Sequence, residues 1–89
     1  MRAIVTVIGK DQVGIIAAVC ALLSKSNVNV LDISQTILQE YFTMIMLVDV
    51  SEMTVSFAEL AKELEKAGEG RGLSIRIQRE DIFNAMHRI

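Results

Sequence analysis

The apolar positions change period along the chain, and each change marks an element. Ile4-Val5-Thr6-Val7-Ile8 is an unbroken run rich in β-branched residues, which predicts a strand over about Arg2 to Ile8. Ala3, Val5 and Val7 fall on one of its faces, and Ile4 and Ile8, beside Thr6, on the other. Two apolar faces imply a central place in a sheet. Gly9-Lys10-Asp11-Gln12-Val13-Gly14 then interrupts the run with two glycines, an acid and an amide. Beyond it Ile16, Val19, Cys20 and Leu23 recur at helical spacing, predicting a helix over about Gln12 to Ser26 with Asp11 as its N-cap. No charge falls between Val13 and Leu23, so Ile15, Ala18 and Leu22, off that stripe, are expected to pack against something other than water.

Val28 and Val30 alternate in one phase, Leu31 and Ile33 in the other. That slip predicts a second strand, Val28 to Leu38, carrying a β-bulge. Gln39-Glu40 is too short for a crossover, so the third strand, Tyr41 to Val50, is antiparallel to the second. Ser56-Phe57-Ala58-Glu59 is a capping box, with Val55 and Leu60 spaced as its staple. The amphipathic helix it opens is expected to end at Gly68. After a glycine-rich link, Leu73, Ile75 and Ile77 alternate with Ser74, Arg76 and Gln78 as a half-exposed edge strand. Asp81 is placed to cap a last short helix with Ile82, Phe83, Met86 and Ile89 on its apolar side. The order β-α-β-β-α-β is that of an α+β, ferredoxin-like two-layer sandwich with an antiparallel four-stranded sheet. Residues 1–79 make that domain and 80–89 a C-terminal helical extension. The sheet face bearing Ile4, Ile8, Ile45 and Leu47 is left for the terminal helix or another subunit to cover.

Composition makes the second subunit more pressing. The 89 residues are 52% hydrophobic but only 4% aromatic, with a mean hydropathy of +0.42. Such a chain holds more aliphatic surface than a lone small domain buries, so a homodimer is expected. A net charge of −2 with scattered basic residues argues against nucleic acid as a partner. The single cysteine, Cys20, excludes a disulfide framework and any cysteine-based metal cage. With no leader before the first strand and no long apolar run, a cytoplasmic protein without a membrane partner is expected.

A ferredoxin-like fold serves many activities, so particular residues must decide. A metal carrier needs paired cysteines in the first loop, and an RNA binder needs exposed aromatics with basic flanks; both are missing. An acylphosphatase-like enzyme needs an arginine in the first loop, where Lys10 is the only cation. His87 finds no convincing nucleophile, so no catalytic constellation is expected, and no cofactor. What remains is the turn itself, whose helix start presents backbone N–H groups to a small anionic group. Asn29 and Asp32 on the second strand are the polar residues associated with it, although a polar residue at a strand start often binds only backbone.

Val5-Thr6-Val7-Ile8-Gly9-Lys10-Asp11-Gln12-Val13-Gly14-Ile15-Ile16-Ala17-Ala18-Val19, followed by Asn27 to Thr36, resembles an ACT domain. More closely, it is similar to the small stand-alone ACT proteins related to the glycine cleavage system repressor, and the likeness extends through Phe42 to Asp49. The resemblance implies a regulatory module that binds an amino acid or similar small ligand, usually between paired domains. It places the ligand-binding positions at Asp11 and Gly14 and at Asn29; Gln12 and Val13 of the turn and Asp32 on the second strand complete the candidate site. Val13 stands where such domains commonly carry proline. The expected function is therefore a non-enzymatic, amino acid-binding, dimeric regulatory domain; the alternative is an interaction module without a metabolite, and a third reading is a small acylphosphatase-like enzyme.

Overall fold

The computed structural model describes residues 1–10 and 14–81. Its elements are β1 (Arg2–Lys10), α1 (Ile15–Lys25), β2 (Asn29–Leu38), β3 (Tyr41–Asp49), α2 (Phe57–Glu69) and β4 (Ser74–Arg79). The four strands form one antiparallel sheet in the order β2-β3-β1-β4. This is the ferredoxin-like sandwich expected, with β1 and β3 central and β2 and β4 as edges. Ala3, Val5 and Val7 of β1, Met44, Met46 and Val48 of β3, and Ile75 and Ile77 of β4 are buried on one face. Ile15, Val19 and Leu23 of α1 and Leu60 and Leu64 of α2 close over them in a single core.

The bulge is where the change of phase puts it. Val30 lies opposite Val48, but Asp32, two residues on, lies opposite Leu47, so Leu31 is the extra residue. Beyond it Ile33, Gln35 and Ile37 share the helix-side face with Met46, Met44 and Phe42. Asn29, Asp32, Ser34 and Thr36 share the other face with Asp49, Leu47, Ile45 and Thr43.

Several element ends differ from the expectation. α1 begins at Ile15, not Gln12, and its N-cap is Gly14 at φ 84, ψ 1, not Asp11. A left-handed residue suits glycine, which carries no Cβ to clash with its own backbone. The buried stripe is Ile15, Val19 and Leu23, so Ile15, expected away from the sheet, is in the core. α2 runs one residue past Gly68, to Glu69, because Gly68 is buried inside the helix rather than ending it. Helical backbone resumes already at Glu80, so Asp81 is inside the turn rather than capping it. Ile82, Phe83, Met86, His87 and Ile89 lie outside the described residues, as do Asp11, Gln12 and Val13.

The cap of α2 is as read: the Ser56 hydroxyl oxygen accepts the Glu59 N–H at 3.1 Å. Ser56 is exposed and its side chain touches no core, so Ser56→Ala isolates this bond. The substitution is expected to cost about 1 kcal/mol in urea unfolding. An unchanged midpoint would mean that water replaces the hydroxyl without loss.

Candidate functional site

β1 delivers the chain to the open end of α1. Gly14 turns it in the left-handed conformation, and its carbonyl accepts the first helical bond from the Ala18 N–H at 3.0 Å. The amides of the first turn have no acceptor within the helix by geometry alone. No acidic side chain stands in that first turn to neutralise them. A Cβ placed on Gly14 meets nothing within 4 Å among the described residues.

Gly14, Ile15, Ile16 and Ala17 form one wall of a cleft of about 470 Å³. Gln35 and Ile37 of β2 and Phe42 of β3 form the other. Among the described residues, Gln35 is the single polar side chain of the lining. β2, which bounds the cleft on one side, is an edge strand of the sheet. The chemistry of the cleft is that of a half-open apolar slot with backbone donors at one end and one amide on its wall.

The other expected residues are elsewhere. Lys10 pairs with Tyr41 at one end of the sheet, whereas Arg2 pairs with Asp49, and Asp49 with Asn29, at the opposite end. Eight residues of strand, roughly 26 Å, separate the two ends. Asn29 lines a different cleft, of about 480 Å³, with Ser24, Asn27, Asp49 and Glu52. There the Asn27 side-chain amide donates to the Glu52 carbonyl at 2.8 Å. The Ser51 hydroxyl and its N–H, the latter 2.9 Å from Oδ1, hold the Asp49 carboxyl below the ordinary carboxylate range, and the Met1 ammonium adds to this from 3.7 Å. Asp32 accepts the Ile33 N–H at 2.9 Å, a bond to its own strand, on the face away from the helices. Gly14 is therefore not joined within one chain by Asn29 or Asp32.

Gln35 was not singled out, yet its signal lay in the sequence. Once the bulge resets the phase, Ile33-x-Gln35-x-Ile37 share the helix-side face, which makes Gln35 the amide that this face presents. Cys20 is half-buried in α1 and packs against the core as a small apolar thiol. Among the described residues no group of three His, Cys, Asp or Glu side chains is placed to hold a metal ion, and no helix is long and apolar enough to cross a membrane.

Comparison with known proteins bears on the same stretch. The ACT domain family model matches residues 2–78. A UPF0237 protein of Clostridium acetobutylicum is 58% identical over 89 residues, covering 100% of both chains. The structure of an ACT domain protein from Streptococcus pneumoniae superposes with a TM-score of 0.81 at 43% identity, over 93% of each chain. A crystal structure described as a candidate glycine cleavage system transcriptional repressor shares the fold, with a TM-score of 0.73 at 24% identity, over 88% of this chain and 44% of that one.

Proposed function

Because this chain belongs to the ACT domain family, we propose that it is a non-enzymatic cytoplasmic regulatory module that binds a small amino acid beside the Gly14 turn, between two copies of itself. The observation that carries this reading is the cleft between Gly14–Ala17 and Gln35–Ile37, which is bounded on one side by an edge strand. The amides at the start of α1 suit a carboxylate, and the helix dipole favours a negative charge there. Gln35 offers a donor and an acceptor to the rest of the ligand, and Ile16 and Ile37 an apolar contact. Of the positions expected from the sequence, Asp11, Gln12, Val13 and Gly14 remain the proposed contacts; Asn29 and Asp32 are not among the described residues lining this cleft.

The second copy is drawn from β2. Residues 31–37 are all exposed, with Leu31 46%, Ile33 37% and Ile37 60% accessible. Pairing two β2 edges would satisfy their free backbone groups and close the mouth of each cleft. A protein–protein interaction module without a metabolite is the competing reading, since the same edge could recruit a different chain.

A thermal-shift panel of the twenty amino acids tests the proposal. A ligand present at a hundred times its Kd adds about 2.7 kcal/mol of stability, a shift easily read. Gly14→Asn then separates the site from the fold, because Asn tolerates the left-handed conformation while projecting a side chain beside the turn. This variant is expected to fold and to lose the shift. If no amino acid shifts the wild type at millimolar concentration, the interaction-module reading replaces this one; if Gly14→Asn keeps full affinity, the ligand binds elsewhere.

A further inference from the structure

We propose that the free edge of β4 docks an extended segment of another protein, one with basic residues at alternate positions and an acidic residue between them. The inference concerns the sheet edge opposite β2, and it holds whichever reading of the Gly14 cleft stands.

β4 pairs with β1 on one side, and among the described residues no strand lies on its other side. The backbone groups along that side are a template for one more strand. A cleft of about 410 Å³ runs beside it, lined by Ala61, Glu65 and Glu69 of α2 and by residues 73–78. α2 is held close to this edge at Gly68, where an added Cβ would stand 2.6 Å from the Leu73 carbonyl oxygen.

The charges along the cleft select the visitor. Ala61, Glu65 and Glu69 recur every fourth residue, so they form one ridge of α2 beside the strand. Along the helix axis the two glutamates are about 6 Å apart. Alternate residues of an extended chain are about 6.6 Å apart, so an added strand brings every second side chain into step with both carboxylates. Ile75 and Ile77 are buried beneath the helices, so Arg76 between them projects from the other face of the sheet, where it is exposed. Among the described residues Glu65, Glu69 and Arg76 make no ion pair. The complement of this edge is Lys-Glu-Lys, with two cations toward the glutamates and one anion toward Arg76 on the opposite face.

Direction follows from the link between α2 and β4. The Leu73 N–H donates to the Gly68 carbonyl at 2.8 Å, so the strand turns straight back under the helix. A segment antiparallel to β4 therefore runs with α2, and Ala61 leaves room for an apolar residue two positions before the first lysine. A second copy of β4 fits poorly. Paired about Arg76, it would set two arginines opposite each other and turn isoleucines toward Glu65 and Glu69. Exposed ion pairs contribute little each, so the backbone ladder supplies the affinity and the charges choose the sequence.

The test uses the whole chain and the end-blocked peptide Val-Thr-Lys-Glu-Lys-Thr. On titration the amide signals of β4, Glu65 and Glu69 are expected to shift, while those of β2 stay. Reversing the three charges together (Glu65→Lys, Glu69→Lys, Arg76→Glu) should weaken this peptide about tenfold or more and admit Val-Thr-Glu-Lys-Glu-Thr instead. All three positions are exposed, so the variant is expected to keep the fold. No shift at millimolar peptide overturns the proposal, as do shifts that map away from β4 and α2. Equal binding of the first peptide by the variant overturns it too. Shifts of the β4 amides that follow protein concentration alone, without peptide, would assign the edge to a second copy and equally overturn it.

Discussion

Gly68→Ala is expected to destabilise the domain by about 1–3 kcal/mol, although alanine is the better helix former by about 1 kcal/mol. Gly68 is buried where α2 comes closest to the chain entering β4. A Cβ there would stand 2.6 Å from the Leu73 carbonyl oxygen and 3.1 Å from Ile75 Cγ1. The first of these is backbone and cannot swing aside. The same loop is tied to the same residue, since the Leu73 and Arg71 N–H groups both donate to the Gly68 carbonyl, at 2.8 Å and 3.0 Å. Relief of the clash must therefore stretch those bonds or lift α2 from Leu64 outward. Gly70→Ala is the control. Gly70 is right-handed at φ −64, and its nearest neighbour for a Cβ is 3.9 Å away. It should be neutral or stabilising by up to about 1 kcal/mol, through the unfolded chain. Denaturant midpoints at constant slope read both. Equal stability for the two variants would mean that α2 slides freely on β4.

Charging the β2 edge is expected to give the largest change in behaviour. On the proposed reading, Ile33→Lys with Ile37→Lys should convert a dimer into a monomer of about 9.9 kDa and abolish any amino acid response at once. Lysine on an exposed edge is a common bar to strand pairing, because the charge must keep its water. Both positions are already exposed, so the isolated fold should lose little. Sedimentation at micromolar concentration reads the mass, and the thermal-shift panel reads the ligand. A double variant that stays dimeric would move the interface to another surface; one that is monomeric yet still binds would detach the ligand from assembly.

The elements were legible wherever a periodicity had only one interpretation. The shift from Val28 and Val30 to Leu31 and Ile33 located the bulge, because one residue of slip reverses every later side chain. Ser56 and Glu59 located the start of α2 because a cap needs those groups at that spacing. Glycines were harder, since their identity does not report their dihedral angles. Asp11 and Gly14 are both acceptable helix openers, and the left-handed turn that selects Gly14 is a property of the fold. Gly68 and Gly70 are both acceptable endings, and only the approach of β4 shows that Gly68 is kept for closeness. Of the candidate site, the turn was legible as a break in the apolar pattern, but its grouping with Asn29 rested on polarity and resemblance, and the strand order puts the two at opposite ends of the sheet. Gln35 was passed over because its neighbours looked like an ordinary edge strand.

The β2 edge also bears on how the chain fares before it has met any partner. From Asn29 to Leu38 there is one charge, Asp32, and neither proline nor lysine, and that charge points to the open face rather than along the edge. Such a strand carries none of the gatekeepers that keep a newly made chain from templating others. On the proposed reading, pairing of this edge depends on concentration, so the balance between a defined assembly and a precipitate is expected to shift with the amount of protein made rather than with its intrinsic stability.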